Sequence, residues 1–263
     1  MCNPLEPKPY KIIEIVRDTE HEWTYRINYD GEVAAGQFFQ VSIPRVGEMP
    51  ISVSGMYGDS IDMTIRKVGK VTGQAFNMVP GDTIFMRGPY GTSFDYNESK
   101  GKHLVIVAGG SGTAPVRPVI EHFYNNPNDI KSLDIIFGFR SPEFILFKED
   151  TERWAKKFNM TLTIDKPVED WDGNTGLVTE YIDKLEIADK SEVAGIIVGP
   201  PIMIGFCAGA FMKKGIEKEQ ITVSLERRMA CGIGKCGRCK IGDIYICQEG
   251  PIMNYSKAVK LID

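Results

Sequence analysis

Four cysteines, Cys231, Cys236, Cys239 and Cys247, crowd into one short stretch with the spacing C-x4-C-x2-C-x7-C, and no other feature constrains the chain as tightly. Thiolates that converge on one centre force the backbone between them to wrap. Gly232, Gly234 and Gly237 supply that freedom, because glycine enters φ > 0 without steric cost and lets amides turn toward sulfur. A C-x4-C-x2-C run followed by a fourth cysteine is the spacing of a plant-type 2Fe-2S site. The alternative is a four-cysteine zinc site, which usually comes as two C-x2-C knuckles, and only one is present here. Cys2 and Cys207 stand apart, so the clustering points to metal rather than disulfides in a cytosolic chain. A cytoplasmic location is expected. Met1 to Tyr10 carries Pro and Glu where a secretion signal has an apolar core, and no run approaches the ~18 apolar residues of a membrane span.

The remainder must bury a core, and 263 residues at 43% hydrophobic and 25% charged suffice for one large or two modest ones. Disorder, collagen and coiled coil are excluded. A net charge of -4 without a Lys/Arg stripe argues against nucleic acid. Up to residue 98 the pattern is one of short strands broken by turn residues: Lys11 to Arg17, Glu22 to Asn28, Gly36 to Ile43, Ile51 to Ser54, Ser60 to Arg66 and Thr83 to Gly88. This predicts a small antiparallel barrel over 1–98, with polar Asp95 to Lys102 as linker. From residue 99 to 225 strands alternate with helices: strand Leu104 to Ala108, helix Pro115 to Tyr124, strand Leu133 to Phe139, helix Lys148 to Phe158, strand Met160 to Ile164, helix Val178 to Lys184, strand Gly195 to Val198, helix Ile202 to Lys214 and strand Ile221 to Leu225. That alternation predicts a doubly wound parallel α/β sheet. Residues 226–263 form a small cysteine-bearing appendage.

Three further motifs carry chemistry. Ala108-Gly-Gly-Ser-Gly-Thr-Ala-Pro115 follows an apolar strand and precedes a helix, where a glycine turn admits a pyrophosphate to a helix N-terminus. Such turns also serve packing alone. The run does not fit a hydrolase nucleophile elbow, which would need Gly at position 113. Gly199-Pro-Pro-Ile-Met203 again lies at a strand's carboxyl end, although Pro at a helix start explains it equally. In the barrel, Pro50-Ile-Ser-Val-Ser54, Arg66-Lys67 and Gly69-Lys-Val-Thr72 suit a flavin ring and its diphosphate, or else are strand and turn residues with solvated cations. His21, His103 and His122 form no paired spacing and, like Trp23, Trp154 and Trp171, read as structural.

The order of barrel, glycine loop, Gly-Pro-x-x-Met turn and cysteine cluster resembles the ferredoxin-NADP reductase superfamily. Within it the chain is similar to subunits that hand electrons from a pyridine nucleotide through FAD and a 2Fe-2S cluster to a partner, above all the B-subunit family of anaerobic sulfite reductases. Arg45-Val-Gly-Glu-Met-Pro-Ile-Ser-Val-Ser54, Ile65-Arg-Lys-Val-Gly-Lys-Val-Thr72, Val198-Gly-Pro-Pro-Ile-Met-Ile204 and Glu226-Arg-Arg-Met-Ala-Cys-Gly-Ile-Gly-Lys-Cys-Gly-Arg-Cys239 carry the likeness. The resemblance implies FAD on Pro50, Ile51, Ser52 and Val53, with Ser52 as the catalytic hydroxyl near flavin N5. Ile65, Arg66, Lys67, Gly69, Val71 and Thr72 would also bind FAD, with Gly69 and Thr72 holding its diphosphate. It further implies NADH (or NADPH) on Gly110, Ser111, Gly112, Thr113, Gly199, Pro200 and Met203, and the cluster on Cys231, Cys236, Cys239 and Cys247.

Two positions depart from the family pattern. Met49 stands where a phosphate-pairing Arg is expected, which shifts that duty to Arg66, Lys67 or Lys70, and Val198 stands where many reductases have Cys. The implied reaction is hydride transfer to flavin followed by single-electron release through the cluster. The implied partners are iron-sulfur and sirohaem subunits that reduce sulfite. The electron-transfer subunit of dihydroorotate dehydrogenase and the gamma subunit of a sulfhydrogenase are alternatives, and a zinc-binding adaptor is the non-enzymatic one. Arg140 and Ser141 would favour NADPH, whereas the resemblance favours NADH. FAD is expected between barrel and nucleotide domain, and Arg227, Arg228, Lys235, Arg238 and Lys240 either offer a basic surface to an acidic partner or only offset the cluster's negative charge.

Overall fold

A computed structural model describes residues 3–225 and 227–262. Cys2, read as isolated, and Glu226, read as the first residue of the last segment, lie outside the described residues.

Period-2 patterning becomes six strands: β1 (Lys8–Arg17), β2 (Glu22–Asn28), β3 (Phe38–Ile43), β4 (Gly47–Met56), β5 (Ser60–Arg66) and, after a short helix α1 (Lys70–Ala75), β6 (Thr83–Tyr90). They close as an antiparallel barrel in the order β1-β2-β5-β4-β3-β6. Closure leaves no unpaired edge. One face of each strand turns inward, so Ile12, Tyr25, Ile27, Phe39, Val41, Met49, Val53, Ile61, Met63, Ile65, Ile84 and Met86 share a core. Helix α1 corrects the reading of residues 69–72 as strand and turn. Six residues are too few to show a helical period; Ala75 is buried, and Phe76 stacks on Trp23 at 4.3 Å.

The second half alternates as expected: β7 (His103–Gly109), α2 (Thr113–Asn125), β8 (Ser132–Phe139), α3 (Lys148–Ala155), β9 (Asn159–Ile164), β10 (Asn174–Thr175), α4 (Val178–Lys184), β11 (Val193–Val198), α5 (Pro201–Lys213) and β12 (Ile221–Ser224). After the cysteines come the hairpin β13 (Lys240–Ile241) and β14 (Ile244–Tyr245), α6 (Ile246–Glu249), β15 (Ile252–Asn254) and α7 (Tyr255–Ala258). The sheet order is β10-β9-β8-β7-β11-β12-β15, with β15 antiparallel to β12. Leu104 to Ala108 of β7 are fully buried, as a parallel strand covered on both faces must be. Winding proceeds from β7 toward β8 and β9, then returns to β11 on the other side of β7. The carboxyl ends of β7 and β11 therefore flank a topological switch point, where open sheets take ligands.

Contacts divide the chain into two compact units. The described residues through Phe94 group with Arg227–Pro251, and the described residues of Asp95–Glu226 group with those of Ile252–Asp263. The cysteines thus pack with the barrel, while β15 and α7 join the sheet. Asp95 to Lys102 is folded rather than extended: Tyr96–Ser99 makes one 3-10 turn, and Tyr96 stacks on His122 at 3.9 Å. Among the described residues no helix is long and apolar enough to cross a membrane.

Candidate functional site

In the sheet unit, Gly110–Gly112 makes a single 3-10 turn that runs into α2 at Thr113, whose hydroxyl donates to the Gly110 carbonyl at 2.9 Å. The unpaired amides of a helix start face whatever anion the turn admits. Its glycines are required for different reasons. Gly110 has φ +53 with open space around it, whereas a Cβ on Gly112 would lie 2.6 Å from the Val198 carbonyl oxygen. The Gly199-Pro200 turn stands beside this loop. Met203 at the start of α5 packs its sulfur 2.6 Å from where a Gly109 Cβ would be and 2.7 Å from that of Gly199. Gly110, Ser111, Gly112, Thr113, Gly199, Pro200 and Met203 are therefore brought together at the switch point. Val198 is buried beneath Gly112, which accounts for an aliphatic side chain there.

On the barrel, β4 alternates. Met49, Ile51 and Val53 face the core, and Pro50 and Ser52 lie on the outer side. Met49 is 6% exposed among core residues, so an arginine there would be a buried charge. On the neighbouring strand Gln40 pairs with Pro50 on one side and Arg87 on the other. It is 1% exposed, and its Nε2 has no partner. An orphaned buried donor in a native fold calls for an explanation, and a ligand acceptor beside Pro50 and Ser52 is one. Below β5, Thr72 Oγ1 accepts from the amides of Val68 and Gly69, both at 2.9 Å, so Thr72 shapes the turn that Gly69 caps. Arg66 is half exposed and held by Glu22 at 3.2 Å; Lys67 lies over the Phe76 ring. Ile65 faces the core and Val71 packs against it.

The cysteine loop wraps as its glycines imply, with φ of +77, +69 and +74 at Gly232, Gly234 and Gly237. Backbone amides point at sulfur: Gly234 donates to Cys247 Sγ at 3.2 Å, and Lys235 and Cys236 donate to Cys231 Sγ at 3.3 and 3.4 Å. Burial acts to raise the Cys231 thiol, but the amides of Cys236, Ile233 and Lys235 outweigh it and bring the group down to about 6. Burial and the Cys239 side chain push Cys247 up to about 12. Four thiols, two of them accepting from backbone amides, fit the ligand set of an iron-sulfur cluster. Cys236 is exposed and Cys239 and Cys247 are buried, so the loop has one edge toward solvent. The hairpin β13–β14 returns the chain so that Cys247 meets Cys239.

Sequence reasoning missed Arg87. Its guanidinium bridges Glu48 and the backbone carbonyls of Ala230 and Cys231, and it is 6% exposed. A lone arginine in a strand carries no motif; only an unexpected charge inside an alternating barrel pattern could have flagged it.

Residues 106–209 match the family described as oxidoreductase NAD-binding domain, and residues 226–259 the iron-sulfur cluster binding domain of dihydroorotate dehydrogenase B. The chain is 35% identical to sulfhydrogenase 1 subunit gamma of Pyrococcus furiosus, over 96% of this chain and 92% of that one. It is 31% identical to a probable dihydroorotate dehydrogenase B (NAD(+)) electron transfer subunit of Methanocaldococcus jannaschii, over 94% and 89%. Among solved structures, a chain of the NADH-dependent reduced ferredoxin-NADP oxidoreductase aligns with a TM-score of 0.78 at 23% identity, covering 95% of this chain and 91% of that one. A ferredoxin NADP+ reductase from Neisseria gonorrhoeae aligns at 0.67 and 18% identity, covering 86% and 95%; both show the fold.

Proposed function

The chain belongs to the family of flavin-type electron-transfer subunits that includes sulfhydrogenase gamma subunits and dihydroorotate dehydrogenase B electron-transfer subunits, and from that premise we propose that it oxidises NADH with FAD and passes single electrons through a 2Fe-2S cluster to a catalytic partner. The observation that carries the reading is the cysteine loop, with four cysteines around left-handed glycines and three backbone amides directed at sulfur. Hydride acceptance is what a bound flavin supplies, and one-electron relay is what the cluster supplies. The protein's own part is positional. The turn from Gly110 to Thr113 admits the pyrophosphate to the start of α2, Met203 and Gly199 shape the floor beside it, and Ser52, Gln40 and Thr72 with Gly69 serve FAD. NADH is favoured over NADPH because relatives of this chain are named as NAD(+) electron-transfer subunits.

Relatives that are subunits of sulfhydrogenase and of dihydroorotate dehydrogenase B favour a partner of those kinds, with the hydrogenase type first on identity and coverage. The sirohaem partner implied by the sulfite reductase resemblance is the competing reading. Anaerobic purification followed by metal, sulfide and flavin analysis tests the core of the proposal. One FAD, iron equal to sulfide, and bleaching by NADH are expected; a colourless protein with one zinc would sink it. Co-purification with a nickel-iron enzyme, an FMN enzyme or a sirohaem enzyme identifies the partner.

Arg66→Ala is expected to weaken FAD binding about tenfold, the scale of one charge-assisted hydrogen bond. It also strands the carboxylate of Glu22, 4% exposed and otherwise bonded to Thr19 Oγ1, so a lower Tm accompanies it. Unchanged flavin affinity by titration would reject Arg66 as the replacement for the arginine absent at Met49. At the cluster edge Lys235, Arg238 and Lys240 are exposed. Reversing Arg238 and Lys240 to Glu is expected to slow electron delivery to the partner in a salt-dependent way with the cluster spectrum intact. Normal delivery rates at low ionic strength would remove the docking role.

A further inference from the structure

We infer that Arg87 is the positioning residue that seats the cysteine loop on the barrel, an inference that rests on the cluster reading above. All five N–H groups of its guanidinium are engaged. Nε donates to Glu48 Oε1 at 3.2 Å, and Nη2 donates to Glu48 Oε2 at 2.6 Å and to the Ala230 carbonyl. Nη1 donates to the Cys231 carbonyl at 2.5 Å and to Tyr90 Oη at 3.3 Å. A planar fork with five donors is the one side chain able to satisfy this set, whereas lysine brings three donors on a point charge.

The geometry assigns the fork to the loop rather than to the barrel. Glu48 is 37% exposed on its side chain and keeps the Ser42 hydroxyl at 2.6 Å, so the strand does not depend on Arg87 for its solvation. The carbonyls of Ala230 and Cys231 immediately precede and belong to the first ligand, and fixing them fixes where its Sγ projects. Tyr90, three residues along β6, completes the seat. Its hydroxyl donates to the Pro4 carbonyl at 2.6 Å, and its ring lies 2.5 Å from where a Cβ on Gly232 would be. The other end of the cysteine segment is tied to the chain just after β6 by the Thr92 amide, which donates to Gly250 at 2.7 Å. Arg87 also pairs in register with Gln40, which pairs in turn with Pro50. One row of side chains thus runs from the proposed flavin strand to the first cysteine. Groups that orient metal ligands from behind typically change metal affinity or activity 10- to 100-fold when lost.

The test uses the full-length protein purified anaerobically, with Arg87→Gln and Arg87→Lys. Both variants are expected to lose iron and sulfide to a chelator about tenfold faster than wild type and to show altered cluster circular dichroism and reduced-state paramagnetic resonance. Wild-type retention and spectra in Arg87→Gln overturn the assignment. Full rescue by Arg87→Lys overturns it too, because charge without the fork would then suffice. Should Arg87→Gln not fold, Glu48→Gln loosens the same joint while keeping the arginine, and wild-type retention and spectra there overturn the proposal. Wild-type protein free of iron and sulfide would instead fail the functional reading itself, so the two failures are distinguishable.

Discussion

Replacing Cys236 or Cys239 with Ser is expected to abolish the cluster while NADH-driven flavin reduction continues. The nucleotide turn is built from Gly110 to Thr113 and Gly199 to Met203 in the sheet unit, and none of these residues lies in the cysteine loop. Cys236 is exposed, so its exchange removes a ligand and little packing; Cys239 is 3% exposed and costs some packing as well. One-electron delivery to the partner should fall by more than the roughly 10- to 100-fold that loss of an outer-shell group causes. Iron and sulfide content, the visible spectrum and NADH reduction of the flavin are the measurements. If flavin reduction disappears in a folded variant, hydride transfer and electron relay are not separable as proposed.

Gly112→Ala is expected to be the most damaging change in the nucleotide turn, and more damaging than Gly110→Ala. Gly112 has an ordinary helical φ of -63, so conformational strain is not the issue. Space is: its Cβ would sit 2.6 Å from Val198 O and 3.0 Å from Val198 C, both backbone atoms of the adjacent strand. Overpacking against groups that cannot move costs about 1–3 kcal/mol, and relief must come from displacing the start of α2, where the proposed nucleotide site lies. A Tm lowered by several degrees and NADH affinity weakened about tenfold or more should follow. Gly110 has open space but φ +53, so alanine there costs about 1–2 kcal/mol of left-handed strain without separating β7 from β11. Titration with NADH compares the two; wild-type affinity in Gly112→Ala would remove the close-approach argument.

Much of this was legible in the chain itself. Cysteine spacing, the buried run of β7, the glycines that follow it and the period-2 barrel strands are local patterns, and local steric and hydrophobic rules convert them into turns, strands and a winding order. Helix α1 was not legible, because six residues cannot display a helical period and its anchor is a ring contact with Trp23. Nor was β15, three residues that become a strand only because β12 offers an open edge. Met49 read as a missing arginine; the barrel shows an inward position that could not hold one. Arg87 is the clearest case. Its partners lie 39, 143 and 144 residues away, on a strand two places along the barrel and on a loop laid against the barrel, and nothing in the spacing of a lone arginine encodes them. Short-range spacing records what neighbours along the chain must do, whereas a buried charge finds its acceptors only once closure of the barrel and return of the cysteine segment have brought distant backbone within hydrogen-bond reach.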